Sequence, residues 1–195
     1  MVHSSFTSSL TLLLGGARSG KSSFALHRAT SRAADVLFVA TAEAGDSDMA
    51  TRIAHHRAER PAHWRTLEAP RAPAQALRTT TPAPVVILDC VTLWVTNLLL
   101  AADADWDTAM AELTALLDWY RNLEQPVELI VVSNEVGLGI VPADELSRTF
   151  REWLGRFNQR LAGEADEVYL MVAGLAVELK ALAVAPRISA GNDPA

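Results

Sequence analysis

The chain has 195 residues, half of them hydrophobic and 21% charged, with a formal net charge of −6. That composition suits a single globular domain with a sizeable core and excludes a disordered chain. The acid excess, without any lysine- or arginine-rich run, argues against a broad nucleic-acid or membrane-binding surface. Cys90 is the only cysteine, so no internal disulfide can form, which fits a reducing compartment.

Residues 1–9 are polar and serine-rich and read as a loose tail. Leu10–Leu14 is a short apolar run that reads as a buried strand. No basic segment precedes it, and no apolar run approaches the length of a membrane span, so neither a signal peptide nor a span is expected. The expectation is a soluble, cytoplasmic protein. Gly15-Gly16-Ala17-Arg18-Ser19-Gly20-Lys21-Ser22 follows at once, and Ser23–Ala29 then reads as the first turns of a helix. Strand, glycine-rich turn, Gly-Lys-Ser and helix together form the context a phosphate-binding loop requires. The glycines let backbone N–H groups curl around an anion, and the helix N-terminus adds partial positive charge. Lys21 can reach the β- and γ-phosphates, and the Ser22 hydroxyl can ligate Mg²⁺. The motif points to nucleotide binding and does not by itself name a reaction.

Val36–Ala40 reads as the second strand, and residues 41–46 as a loop beyond its carboxyl end, where open α/β sheets bind ligands. A helix is expected over 48–60, capped by Ser47 or Asp48 and ended by Pro61. Trp64–Leu67 suits a short strand, and the proline-rich connection after it holds a helical piece near 74–78. Val85–Leu88 is a strong strand ending in Asp89. Helices are expected over 91–102 and 108–123, separated by a polar break, and a strand over 128–133. After a glycine-containing loop, Pro142 reads as the first residue of a helix running to Ala162, with Gly163 near its end. Val168–Val172 is the last expected strand, and residues 186–195 a frayed tail. Strands alternating with helices predict one α/β domain spanning the chain, with a mostly parallel central sheet flanked by helices.

Four apolar residues followed by Asp89 is how a Walker B strand reads. Its carboxylate would hold Mg²⁺, or alternatively cap the helix that begins near Val91. On the helix over 48–60, Arg52, His55 and Glu59 share a face, whereas His55 and His56 lie about 100° apart and do not easily share a site. Spacing alone makes this a solvated polar face, and no zinc-ligand spacing is present. Asn134-Glu135-Val136-Gly137-Leu138-Gly139 follows a strand and therefore lies at the edge of the phosphate loop, either as a substrate contact or as an ordinary strand-to-helix turn. Arg148, Arg151, Arg156 and Arg160 read as a solvated helix face, with Leu146, Phe150, Trp153, Leu154 and Phe157 on the core side.

Taken together these segments resemble the bifunctional adenosylcobinamide kinase/adenosylcobinamide-phosphate guanylyltransferase family of cobalamin biosynthesis. The resemblance rests on Gly15–Ser22, Ala40-Thr41-Ala42, Arg52-Ile53-Ala54-His55-His56-Arg57 with Arg60-Pro61-Ala62-His63-Trp64-Arg65-Thr66, Asp89-Cys90-Val91-Thr92-Leu93-Trp94, and Asn134–Pro142. It runs from about Leu10 to Lys180. It implies a RecA-like P-loop fold and a homotrimer. It further implies that a nucleoside triphosphate, ATP or GTP, phosphorylates adenosylcobinamide, and that GTP then passes its GMP through a histidine to adenosylcobinamide phosphate. Carried onto this chain, the guanylylated histidine is His55. The triphosphate is held by Gly15, Gly16, Ala17, Arg18, Ser19, Gly20, Lys21 and Ser22. Ala40, Thr41, Ala42, His56, Arg57, Ala58, Glu59, Glu68 and Asp89 line the nucleotide site, with Ser22 and Asp89 toward Mg²⁺. The resemblance thus replaces the bland reading of the two histidines with a chemical one.

Overall fold

A computed structural model describes residues 7–45 and 47–183. The order is β1 (Ser9–Gly15), α1 (Lys21–Arg32), β2 (Val36–Ala40), α2 (Ser47–Ala58), β3 (Arg65–Glu68), α3 (Pro73–Arg78), β4 (Val85–Asp89), α4 (Val91–Leu99), α5 (Trp106–Arg121), β5 (Glu128–Val132), α6 (Glu145–Glu164), β6 (Glu167–Val172), β7 (Leu175–Glu178) and α7 (Leu179–Leu182). The seven strands form one sheet in the order β3-β2-β4-β5-β1-β6-β7, parallel throughout except for β7 against β6. The expected α/β architecture is therefore present.

The central strands are continuous apolar runs because both faces of the sheet are covered. On one face Leu12, Val39, Leu88 and Val131 pack with Trp94 of α4, Leu113 and Leu116 of α5, and Phe157 of α6. On the other, Leu13, Phe38, Ile87 and Ile130 pack with Ala25 and Ala29 of α1 and with Trp64. Ser9 already belongs to β1, one residue inside the expected tail; residues 1–6 and 184–195 lie outside the described residues.

Several element ends differ from the sequence reading. Pro142 does not open α6. Asp144 does, its carboxylate accepting from Ser147 N at 2.8 Å. A carboxylate accepts from a first-turn backbone N–H and so caps the helix, whereas a proline only tolerates the first turn. The helix then passes through Gly163 to Glu164. Asp105 likewise caps α5, from inside the expected polar break, so that helix starts at Trp106. Helix α4 stops at Leu99, three residues short of the expected end. Both Ser47 and Asp48 fall within α2, so neither stands before it as a cap; residue 46 lies outside the described residues. Leu146 is exposed and not on the core side of α6. Val172 is not the end of the sheet: β6 turns back through Ala173 and Gly174, both at positive φ (52° and 82°), into β7. Two left-handed residues make the tight hairpin connection, but Ala-Gly is not one of its common sequence signals.

At the opposite edge of the sheet from the phosphate loop, Glu128 is buried at the start of β5 and bonded to Arg28 Nε of α1 at 2.5 Å, with Arg32 at 3.3 Å. Arg28 also pairs with Glu167. Burial opposes the Arg28 charge, but the two carboxylates outweigh it and raise its pKa. Glu128→Ala is expected to destabilise the protein by about 2 kcal/mol, because it leaves the largely buried Arg28 guanidinium with Glu167 as its remaining carboxylate. The check is a fall in the urea midpoint with unchanged slope.

Candidate nucleotide site

Gly20 stands immediately before α1 with φ of 101°, a left-handed conformation that L side chains rarely adopt, and no side chain caps that helix. The helix N-terminus therefore faces the loop as backbone alone. Lys21 is buried, and its Nζ donates to Gly15 O (2.9 Å), Gly16 O (2.6 Å) and Ser19 Oγ (3.4 Å). The ammonium thus sits inside the curl of the loop, where a phosphate would meet it.

Two distant segments back this loop. Glu135 N donates to Gly15 O at 3.1 Å, and Gly174 N of the β6–β7 turn donates to Ser19 O at 3.0 Å. A Cβ on Gly15 would lie 2.5 Å from Met171 O, and one on Gly20 would lie 3.2 Å from Gly174 Cα. Neither glycine can be replaced without moving β6 or its turn.

Register supplies the next part. Ala40 pairs with Glu68 on one side and with Asp89 on the other, so three of the expected nucleotide contacts form one row across β3, β2 and β4. Ser22 Oγ lies 3.4 Å from Asp89 Oδ2, bringing the two expected Mg²⁺ ligands together. Burial pushes the Asp89 carboxyl upward, opposed by the charges of His56, Arg60 and Lys21 and by the Ser22 hydroxyl. Among the described residues no group of three or more His, Cys, Asp or Glu side chains could hold a metal by itself. Thr41 is buried and its hydroxyl is committed to the residue that follows β4, accepting from Cys90 N at 2.8 Å and donating to Cys90 O at 2.7 Å. Ala42 follows, half-buried, at the same edge.

Helix α2 carries the histidines. His55 Nδ1 is 3.6 Å from Glu59 Oε1 and His56 Nδ1 is 3.1 Å from Glu59 Oε2. The two rings therefore do meet at one carboxylate, contrary to the expectation from their angular separation, because i+3 and i+4 positions both adjoin on a helix. The His55 side chain is 72% exposed and that of His56 39%. The charge of His56 bears on Asp89. Arg57 and Ala58 are exposed beside them, and the side chain of Arg52 lies outside the described residues.

Sequence reasoning missed Arg60 as more than a helix end. Its guanidinium stacks on Phe38 at 3.4 Å from the ring centre, and its buried Nε has no hydrogen-bond partner among the described residues. Burial, with the Arg57 charge, lowers its pKa, while Asp89 and Glu68 pull the other way. Only a fold that lays the exit of α2 across β2 reveals this cation. Arg148 and Arg151 were also misread as a merely solvated face: they hold the loop after β5, donating to Pro142 O (3.2 Å) and to Gly137 O (2.6 Å) respectively. Arg156 and Arg160 do pair along the helix, with Glu152 and Glu164. Two surface depressions, one lined by Glu68, Pro70 and Thr79 and one by Arg71, Leu98 and Glu112, contain no residue of the phosphate loop.

A mostly parallel sheet with a glycine-rich loop and buried lysine after β1, and an acid ending β4 two strands away, defines a P-loop nucleotide-binding protein. The fold agrees with that of an ATPase from the type III secretion system of pathogenic bacteria, at a TM-score of 0.52 and 11% identity, over 93% of this chain and 61% of that one. The family model described as cobinamide kinase / cobinamide phosphate guanyltransferase matches residues 11–179, and the chain belongs to that family of enzymes. It is 48% identical over 170 residues to the bifunctional adenosylcobalamin biosynthesis protein CobP of Pseudomonas aeruginosa, covering 87% of this chain and 96% of that one. It is 44% identical over 183 residues to the bifunctional adenosylcobalamin biosynthesis protein CobU of Salmonella typhimurium, covering 88% and 99%. Among the described residues no helix is long and apolar enough to cross a membrane.

Proposed function

We propose that the chain carries out both reactions of its family, phosphorylation of adenosylcobinamide and then GMP transfer, with His55 as the residue that carries GMP. The observation that supports this most is the exposed pair of imidazoles on α2 sharing Glu59, on the helix whose exit reaches Asp89 through His56 and Arg60. A neutral imidazole protonated at Nδ1 carries its lone pair on Nε2, the form that attacks phosphorus. In the transfer, His55 nitrogen bonds to the α-phosphorus of GTP and the bond from that phosphorus to the β-bridging oxygen breaks, releasing pyrophosphate. The phosphate of adenosylcobinamide phosphate then attacks the same phosphorus and frees the imidazole, giving adenosylcobinamide-GDP.

The site residues follow the same reading. Gly15 to Ser22 grip the triphosphate; Ala40, Thr41, Ala42, His56, Arg57, Ala58, Glu59, Glu68 and Asp89 surround the nucleotide. A hydroxyl and a carboxylate oxygen 3.4 Å apart are a hard donor pair that fits Mg²⁺, an ion usually held by one or two carboxylates plus substrate phosphates. Ser22 and Asp89 would hold it, and when bound it neutralises charge on the phosphoryl oxygens. Lys21 stays on the loop side of the phosphates, and Thr41 keeps the ends of β2 and β4 together beneath them. The protein works in the cytoplasm as a homotrimer.

One observation favours a second reading, in which the neighbouring ring takes the nucleotide: the charge of His56 bears on Asp89. Incubation with GTP and Mg²⁺, followed by intact mass and peptide mapping, decides. A gain of one GMP on His55, lost on adding cobinamide phosphate, supports the proposal. A GMP on His56 transfers the role, and no adduct at all overturns it.

A further inference from the structure

The kinase reaction needs a group to take the proton from the attacking hydroxyl, and the residues assigned so far do not supply one. Lys21 is a cation, Asp89 is assigned with Ser22 to the metal, and both oxygens of Glu59 are taken by the two histidines. The sheet order narrows the choice. Strand β5 lies between β1, which leads into the phosphate loop, and β4, which ends in Asp89. Whatever follows β5 therefore emerges between the phosphates and the acid. Other carboxylates at this edge are further off: Glu43 follows β2 and Glu68 ends β3, three and four strands from β1.

We propose that Glu135 is the catalytic base of the kinase reaction. Its backbone N–H is bonded to Gly15 O, the same carbonyl that receives Lys21 Nζ, so its Cα is fixed beside the first residue of the phosphate loop. One carboxylate oxygen, Oε1, accepts from Gly137 N at 2.5 Å, which sets the direction of the other. The loop that carries it is held from three sides. Asn134 N donates to Thr92 Oγ1 of α4 at 3.0 Å, Asn158 Nδ2 of α6 donates to Asn134 O at 3.0 Å, and Arg151 holds Gly137 O. A base on so constrained a loop is positioned before substrate arrives, which is what proton transfer in the transition state requires. Beyond it Leu138 and Ile140 are 87% and 95% exposed, leaving an open approach for a bulky acceptor.

In the step, the acceptor hydroxyl oxygen bonds to the γ-phosphorus, its proton passes to the Glu135 carboxylate oxygen not bonded to Gly137, and the bond from the γ-phosphorus to the β–γ bridging oxygen breaks. The electron pair leaves with the nucleoside diphosphate. The inference rests on the kinase half of the reading above and is independent of which histidine carries GMP.

The test is steady-state phosphorylation of cobinamide by Glu135→Gln, Glu135→Asp and Gly137→Ala, beside nucleotide Kd and melting temperature. Glu135→Gln is expected to lower kcat by about 100-fold or more while the nucleotide Kd stays within about twofold. Glu135→Asp is expected to recover part of the rate. A Cβ on Gly137 would sit 2.8 Å from Glu135 Oε1 and turn the carboxylate aside. Gly137→Ala should therefore lower kcat by about tenfold with no loss of charge. A Glu135→Gln rate within about threefold of the parent overturns the proposal. So does a fall in kcat matched by loss of nucleotide affinity and melting temperature, which marks a loop support only. Should Glu135→Gln fail to fold, Gly137→Ala decides by the same readings.

Discussion

Replacing His55 by alanine is expected to abolish the GMP adduct and to reduce GMP transfer by on the order of a thousandfold or more, since a covalent carrier has no substitute. Phosphorylation of cobinamide should continue, because the γ-phosphoryl transfer is organised by the loop after β1 and not by α2. The asymmetry is the diagnostic feature. Intact mass after exposure to GTP reads the first half, and labelled phosphate in cobinamide reads the second. A variant that lost both together would place the ring in structural support of the nucleotide site. His56→Ala should act differently, since that ring holds Glu59 at the shorter distance and bears on Asp89. Its adduct should form slowly and not vanish.

Lys21→Ala is expected to remove both activities. The ammonium is the one cation of the phosphate loop buried within it, bonded to two loop carbonyls. It serves any triphosphate held there, whichever phosphorus is attacked. Loss of a preorganised group that stabilises transition-state charge lowers kcat by about 100- to 1000-fold. Both reactions should fall by at least that factor, with weaker binding of GTP. Measuring the two rates side by side in the His55 and Lys21 variants separates a group dedicated to one transfer from a group shared by both. A Lys21→Ala protein that kept the adduct reaction would mean that the two reactions use different triphosphate sites.

The parts of this fold that could be read from the chain are those whose physics is local. Leu10–Leu14, Val36–Ala40 and Val85–Leu88 announce themselves because strands covered on both faces read as nearly continuous apolar runs, broken here by Thr11 alone. Gly15 to Ser22 announces itself because a turn that wraps phosphate with backbone N–H groups needs glycine at fixed places. The rest depends on which strand lies beside which. That Ala40, Glu68 and Asp89 form one row is a matter of register, and nothing near any of them in sequence states it. Arg60 reads as the last turn of a polar helix; only the placement of that turn over Phe38 makes it a buried cation. Arg151 looks like any arginine on a wet face until the loop after β5 is seen to end on it. Pro142 misled because a proline favours a first helical turn without commanding one, whereas Asp144 two residues on accepts a hydrogen bond from a free backbone donor, Ser147 N. The hairpin through Ala173 and Gly174 lacked the asparagine or aspartate that normally marks it. The two histidines were legible as residues but not as chemistry: spacing favoured a solvated face, and only the family's pattern set them apart.

The position of β1 has a consequence for how the protein comes into being. That strand is paired on one side with β5 and on the other with β6, and the loop after it rests on Glu135 and Gly174. All of these partners are made by the ribosome more than a hundred residues after the loop itself. The phosphate loop must therefore wait, without these neighbours, until β6 and the turn after it have emerged. A nascent chain arrested before β6 should be unable to retain GTP, however complete its glycine-rich sequence.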